Sequence, residues 1–204
     1  MARKRRILGM SRMNALCVFC GSSSGSRPAY REVALELGVL LARQRIKLIY
    51  GGGNIGLMGT VADSCMAAGG EVVGVIPKAL LDKEHGHRGI TRLEVVATMH
   101  ERKARMAALA DGFLALPGGI GTIEELLEVV TWSQLEIHAK PVALVNAAGF
   151  FDPLLALLDH TIVEGFLRMQ HRNLLIAADR PQAALDQMFA LISRPEKPRS
   201  TLGI

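Results

Sequence analysis

The feature that most limits how this chain can fold is a repeated unit: a short apolar run, a turn rich in small residues, then a helical pattern. Ala15 to Phe19 (ALCVF) reads as a strand and leads into Gly21-Ser22-Ser23-Ser24-Gly25. Ile46 to Tyr50 leads into Gly51-Gly52-Gly53, and Gly112 to Leu116 leads into a Pro117–Gly121 turn. Val72 to Ile76, Pro141 to Val145 and Leu174 to Ala177 complete the strand set. Helical patterns fill the spaces between, over Pro28–Gln44, Leu57–Ala68, Met99–Leu109, Thr122–Ile137, Asp152–Glu164 and Pro181–Ile192. Apolar runs of this kind suit strands buried on both faces. Their alternation with helices calls for parallel pairing and right-handed crossovers. The expectation is one α/β domain over residues 14–193, a Rossmann-like doubly wound parallel sheet flanked by helices. Residues 1–13 form a basic tail and 194–204 a polar C-terminal tail. Pro77 to Val96 has no regular period and reads as a functional loop or lid. In such sheets ligands bind beyond the carboxyl ends of the strands, where this chain concentrates its glycines.

Composition narrows the class. Of the 204 residues half are hydrophobic, and the mean hydropathy is +0.26. No stretch reaches the roughly 20 uncharged apolar residues of a membrane helix, so no membrane partner is expected. The net charge of +5 and a pI near 9.4 raise nucleic acid as a partner. Arg3, Lys4, Arg5, Arg6 and Arg12 account for that excess, however, and the body is close to neutral. The basic segment reads as a solvated arm, or as residues upstream of a start at Met10 or Met13, and no nucleic acid is expected. Cys17, Cys20 and Cys65 make no disulfide framework, which points to a reduced, cytoplasmic protein. Cys17 and Cys20 form a C-x-x-C, but they fall in a strand, where residues three apart face opposite sides.

Two glycine-rich turns carry the chemistry. Gly51, Gly53 and Gly56 match G-x-G-x-x-G between a strand and a helix. A dinucleotide site would need a carboxylate at the end of the next strand, and that strand ends in Pro77. The glycines, Gly52, Gly53 and Gly56 in particular, then serve either as a second backbone cradle for an anion or as a tight packing turn. The other turn, Pro117-Gly118-Gly119-Ile120-Gly121-Thr122-Ile123-Glu124-Glu125, leads directly into a helix. Unpaired N–H groups at the positive end of a helix dipole, with no side chains in the way, suit a phosphate. There is no G-K-[ST], which separates the turn from a nucleoside triphosphate P-loop. Thr122 and Glu125 also fit the T-x-x-E spacing of a capping box, so on spacing alone Glu125 reads as a cap before it reads as a catalyst.

In Met99-His100-Glu101-Arg102-Lys103-Ala104-Arg105-Met106, Glu101 and Arg105 stand four apart and read as a surface ion pair. Arg102 and Lys103 sit near the helix start, where the dipole disfavours cations; a nearby anion or plain solvation would account for them. His85-x-His87 beside Glu84 lacks the helical spacing of a zincin, and His100, His138, His160 and His171 are scattered, so no metal is expected. No G-x-S-x-G elbow is present.

Read together, PGGIGTIEE at 117–125, YGGGNIGLMG at 50–59 and MHERKARM at 99–106 resemble the motif blocks of the LOG family, in order. CVFCGSSSG, GVIPKALLDKE, TWSQLEIHAKPVALVN and GFFDPLL extend the likeness over about residues 14–192. That family comprises cytokinin riboside 5′-monophosphate phosphoribohydrolases, often mislabelled lysine decarboxylases. The resemblance implies a homodimer that hydrolyses the N-glycosidic bond of adenine-type nucleoside 5′-monophosphates, AMP among them, without a cofactor. By motif it implies Arg102 and Glu125 as the catalytic pair. It implies Gly118, Gly119, Gly121 and Thr122 as phosphate ligands, with Lys103, Glu84, Glu124 and Thr131 also at the substrate. Nothing in the sequence marks a pyridoxal phosphate lysine. A non-catalytic nucleotide-binding protein on the same fold is the alternative reading.

Overall fold

The structure is a computed structural model and describes residues 13–81 and 85–193. Seven strands form one parallel sheet: β1 (Ala15–Phe19), β2 (Lys47–Tyr50), β3 (Val72–Pro77), β4 (Arg92–Val96), β5 (Gly112–Ala115), β6 (Val142–Val145) and β7 (Leu175–Ala178). Their order across the sheet is β4-β3-β2-β1-β5-β6-β7. Registers such as Cys17↔Ile49 and Cys17↔Phe113 place β1 at the centre, hydrogen-bonded to β2 on one side and β5 on the other. The chain winds outward from β1 to β4, then returns to the other side of β1, so the order reverses between β1 and β5. A crevice opens at such a reversal, outside the carboxyl ends of the two strands.

Among the described residues seven α-helices cover the sheet: α1 (Pro28–Gln44), α2 (Gly56–Ala67), α3 (Met99–Leu109), α4 (Ile120–Gln134), α5 (Asp152–Val163), the short α6 (Met169–Arg172) and α7 (Pro181–Ile192). Strand side chains alternate between two cores. Leu16, Val18, Leu48, Tyr50 and Leu114 pack under α1, α2 and α7. Cys17, Phe19, Ile49, Val73 and Phe113 pack under α3, α4 and α5. Cys17 and Cys20 thus belong to opposite cores, as their spacing on a strand requires. All three cysteines are buried thiols, and burial raises their pKa. Proline opens α1 and α7, where its missing N–H costs no helix bond. Gly38 lets α1 and α2 touch, since a β-carbon there would lie 2.6 Å from the Val61 carbonyl oxygen. Among the described residues no helix is long and apolar enough to cross a membrane.

Three expectations need correction. The span read as an irregular loop from Pro77 to Val96 contains β4, paired in parallel with β3 from Val73↔Arg92 to Pro77↔Val96. It escapes an apolar pattern because it is an edge strand with charged side chains, Arg92 bonding Glu94 and Glu94 bonding Arg105. Second, Arg105 therefore pairs with Glu94 across elements, while the Glu101 carboxylate accepts the Ala97 N–H at 2.9 Å. Third, α4 begins at Ile120 with Gly119 as its N-cap, three residues before the Thr122 N-cap that a Thr122–Glu125 capping box would set. The short α6, in a stretch left between elements on sequence, completes the differences. Residues 1–12, 82–84 and 194–204, and with them the tail assignments and Glu84, lie outside the described residues.

Candidate active site

The site is built on the carboxyl ends of β1, β2, β3 and β5. At β5 the chain leaves Leu116 and Pro117, makes its turn at Gly118–Gly119, and enters α4. The N-cap Gly119 has no side-chain cap, and the first amides of α4 have no carbonyl of their own helix to bond. The glycines here divide. A β-carbon on Gly118 would overlap the Thr122 side chain, so packing alone demands that glycine. β-carbons on Gly119 and Gly121 would meet nothing within 4 Å. Neither residue has a positive φ. The protein's own packing therefore gives no reason for glycine at either position, whereas close approach of an anion to backbone N–H groups does. Thr122 is buried, on the first turn of α4, its hydroxyl toward Gly118.

Across the reversal point stands the β1–α1 turn. Gly21 donates its N–H to the Pro117 carbonyl at 3.1 Å, tying the two turns together. A cleft of about 290 Å³ separates their outer parts, lined by Ser22, Ser23, Ser24, Gly118 and Gly119, with Tyr30 and Phe150 as its apolar wall. The serine turn drew notice in the sequence only as a turn. Its place across a cleft from the Pro-Gly-Gly segment is legible only once β1 and β5 are known to be neighbours.

The other glycine-rich turn is spoken for by the protein. Gly52 and Gly56 have φ of +80° and +62°. A β-carbon on Gly56 would run into the backbone of Ser22 and Ser23, and one on Gly51 into the Arg102 guanidinium. The Gly21 carbonyl already accepts the N–H groups of Leu57 and Met58, at 3.0 and 3.2 Å. Two amides that a cradle at Gly52, Gly53 and Gly56 would offer are thus bonded internally. Gly53 pairs with Gly86 in a one-residue antiparallel bridge.

α3 delivers Arg102 to the same edge. Its N-cap Thr98 accepts the Glu101 N–H at 3.1 Å, which fixes the helix start. Arg102 is 6 % exposed, with Nε donating to the Val75 carbonyl at 3.1 Å and Nη2 to the Gly51 carbonyl at 2.9 Å. The guanidinium lies across the carboxyl ends of β2 and β3. A buried cation held by carbonyl dipoles is poised for an anionic or electron-rich ligand. Glu125, half-buried on the neighbouring α4, lines a small cavity with Phe19, Lys103 and Phe113. Both charges act on the buried Cys17 thiol: after burial itself, Glu125 raises its pKa and Arg102 lowers it. Arg102 and Glu125, separate in sequence, thus converge above the end of β1.

Lys103 points to α4, where Nζ bonds Glu124 at 2.6 Å and Glu128 at 2.9 Å. Its pKa is raised, first by the Glu124 hydrogen bond. The structure therefore joins Lys103 and Glu124 to each other, with Glu128 as a third member that the i, i+4 spacing of the two acids could have revealed. Thr131 does not join them at the cradle. It is exposed, donates to the Leu127 carbonyl, and lies about 16 Å along α4 from Ile120. His87 is buried, with its ring committed to Asp63 and to Gly89 N–H.

With this geometry in view, comparison with known proteins is specific. A family model described as "Possible lysine decarboxylase" matches residues 58–188. A probable cytokinin riboside 5′-monophosphate phosphoribohydrolase of Oryza sativa subsp. japonica is 51 % identical over 82 % of this chain and 74 % of its own length. A cytokinin riboside 5′-monophosphate phosphoribohydrolase of Arabidopsis thaliana is 48 % identical over 87 % of this chain and 82 % of its own. Among solved structures, a molybdenum cofactor carrier protein of Chlamydomonas reinhardtii superposes with a TM-score of 0.67 at 19 % identity, covering 90 % of this chain and 100 % of that one. A molybdenum cofactor binding protein of Rippkaea orientalis gives 0.66 at 21 %, over 89 % and 98 %. At these identities the two structures speak for the fold alone.

Proposed function

We propose a reaction for a chain that belongs to the LOG family, the phosphoribohydrolases also described as possible lysine decarboxylases: it hydrolyses the N-glycosidic bond of an adenine-type nucleoside 5′-monophosphate. Water adds its oxygen to the ribose C1′, the bond from C1′ to the base breaks, and a proton goes to the base. The products are free base and ribose 5-phosphate. Substrates are cytokinin riboside 5′-monophosphates, on which its relatives act by name, and AMP.

The observation that carries this reading is the open space at Gly119 and Gly121, at the positive end of α4 and just before Glu125. A 5′-phosphate seated there, against Gly118, Gly119, Gly121 and Thr122, sets the ribose over the first turn of the helix. Cleavage builds positive charge on the ribose ring, as in glycoside hydrolysis generally. The Glu125 carboxylate stabilises that charge and orients the attacking water. Arg102, held by two backbone carbonyls, supplies positive charge to the phosphate or to the departing base. No redox or acyl cofactor enters such a reaction. The buried thiols fit a reducing compartment, and we place the protein in the cytoplasm.

We also propose a homodimer. Leu135, Ile137, Leu157, Val163, Phe166 and Met169 expose apolar surface around α4, α5 and α6, with Val163 81 % and Phe166 87 % exposed. Thr131, remote from the cradle of its own chain, then serves the site of the second copy.

The test is product analysis with AMP and with isopentenyladenosine 5′-monophosphate, for wild type beside Glu125→Gln. Because Glu125 forms no capping box here, the variant keeps its helix start. The expected result is base and ribose 5-phosphate from wild type, and a rate lower by about 10²- to 10⁴-fold in the folded variant. Binding of both monophosphates without cleavage by wild type would make the protein a nucleotide receptor instead. Sedimentation of the same preparations as 22.0 kDa monomers would remove the dimer from the reading.

A further inference from the structure

The segment after residue 84 is fastened to the glycine turn whose Gly51 carbonyl holds Arg102. The His87 N–H donates to the Gly52 carbonyl at 2.8 Å, and the Asn54 N–H to the His85 carbonyl at 3.1 Å. These bonds lay residues 85–87 along 52–54. His87 is 7 % exposed and does not line the cleft beside Pro117–Gly119. Nδ1 stands 3.2 Å from the Gly89 N–H, which can only donate. The neutral ring therefore carries its proton on Nε2, and Nε2–H donates to the Asp63 carboxylate of α2 at 2.9 Å. Every hydrogen-bonding position of the ring is used, between α2 and the 85–89 segment.

Beneath this fastening the Gly51–Gly53 turn has little rigidity of its own. It is three glycines, and Gly52 sits at φ +80° with its Cα 2.7 Å from where a β-carbon on Gly74 would stand. Yet the peptide between Gly51 and Gly52 presents the carbonyl that holds Arg102 Nη2 at 2.9 Å. A glycine peptide that can rotate at small cost is a poor support for a guanidinium that must hold its place. The His87 backbone N–H fixes the next carbonyl, that of Gly52, and so limits that rotation.

We propose that His87, with Asp63, is a positioning pair: its imidazole anchors the 85–89 segment, whose backbone N–H at residue 87 holds the Gly52 carbonyl next to the Gly51 carbonyl, and thereby sets the Arg102 guanidinium for the reaction. The proposal rests on the reading that Arg102 acts on the departing base of the phosphoribosyl substrate, the phosphate being held by the α4 turn. The pair touches no substrate itself. It connects α2 to Arg102 through backbone, and the phosphate cradle at α4 lies outside that path. Its loss therefore affects turnover, while phosphate recognition persists.

The test compares His87→Ala, His87→Gln, Asp63→Ala and the double alanine variant, with AMP as the probe, well below their unfolding temperatures. His87→Ala is expected to lose about 10- to 100-fold in kcat, the scale of a reacting group displaced by up to about 1 Å, with KM within about threefold. His87→Gln, whose amide can still donate to Asp63, should recover most of the loss. Asp63→Ala should fall in the same direction, and the double variant should be no slower than His87→Ala, because one pair is broken only once. A second readout does not depend on turnover: the Arg102 Nε–H proton, bonded to Val75 and assigned by its loss in Arg102→Lys, should exchange slowly in wild type and His87→Gln, and fast in His87→Ala. If His87→Ala lowers only thermal stability, leaving kcat and that proton unchanged, His87 is structural and the proposal fails. An inactive wild type with the exchange pattern intact would leave the positioning pair standing and overturn the hydrolase reading alone.

Discussion

Two glycine-rich turns sit side by side at the carboxyl edge of the sheet, and on sequence they look like equals. The turn after β2 and the turn after β5 each lead a buried strand into a helix. Their glycines answer to different demands. At Gly51, Gly52, Gly56 and Gly59 a β-carbon meets the guanidinium of Arg102, the side chains of Leu93 and Ile76, or the backbone of Ser22, Ser23 and Asn54. At Gly119 and Gly121 it meets nothing within 4 Å. The first set is required by the folded chain; packing gives no reason for the second, and the proposed phosphate would. A glycine without an internal cause is therefore the better marker of a ligand than a glycine motif, and the better-known fingerprint, G-x-G-x-x-G, falls on the wrong turn. The amides tell the same story: those of Leu57 and Met58 are taken by the Gly21 carbonyl, while the start of α4 has no such cap.

The largest effect that would break this comparison lies at Gly56. An alanine there must adopt φ near +62° and push its β-carbon into the Ser22–Ser23 peptide. The left-handed conformation costs about 1–2 kcal/mol, and forced overpacking about 1–3 kcal/mol. Gly56→Ala should lower the stability by about 3 kcal/mol, read from urea unfolding, and lose activity only in proportion to folded protein. A stable but inactive Gly56→Ala would mean that this turn, too, holds a ligand.

Gly121→Ala is the opposite experiment with the same chemistry. The position is helical, its β-carbon points into open space, and glycine in a helix is weaker than alanine by about 0.5–1 kcal/mol. The variant should be as stable as wild type or slightly more so. Its KM for AMP should nonetheless rise by about tenfold or more, about 1.4 kcal/mol of binding, because a methyl group stands where the phosphate approaches. Unchanged KM would remove the phosphate from this turn.

Most of the fold was legible because its strands are buried on both faces and so carry unbroken apolar runs. Arg92–Val96 was not, since an edge strand whose side chains make ion pairs looks like loop to any apolar count. For the site, motif order brought Arg102 and the Gly118–Thr122 turn to attention, and the structure adds how they are held. What could not be read were the long-range partners. The carbonyls of Gly51 and Val75 behind Arg102 and the carboxylate of Asp63 behind His87 belong to other elements, and only the fold brings them near. Spacing was misleading once in a useful way. T-x-x-E stands at the start of two helices, at Thr98–Glu101 and at Thr122–Glu125, and only at the first does the threonine cap its helix, with the Glu101 carboxylate taking the Ala97 N–H one residue before the cap.

That pair gives the smallest prediction and the finest test of the two-turn comparison. At α3 the Thr98 hydroxyl accepts the Glu101 N–H, and the Glu101 carboxylate reaches back to the Ala97 N–H. Thr98→Ala should therefore cost about 1 kcal/mol of stability. Its kcat and KM, measured well below the unfolding temperature, should stay near those of wild type, because Arg102 is held from the sheet side. At α4 the cap is Gly119 and Thr122 is already inside the helix, so Thr122→Val, which keeps the shape and removes the hydroxyl, should shift stability by no more than about 0.5 kcal/mol. It should raise KM, since the hydroxyl lost is one that faces the cradle. One residue type at one spacing would then be worth folding energy after β4 and binding energy after β5. If Thr122→Val instead unfolds as the loss of a cap does, the start of α4 is closed by its own threonine, and the amides assigned to the phosphate are not free to bind it.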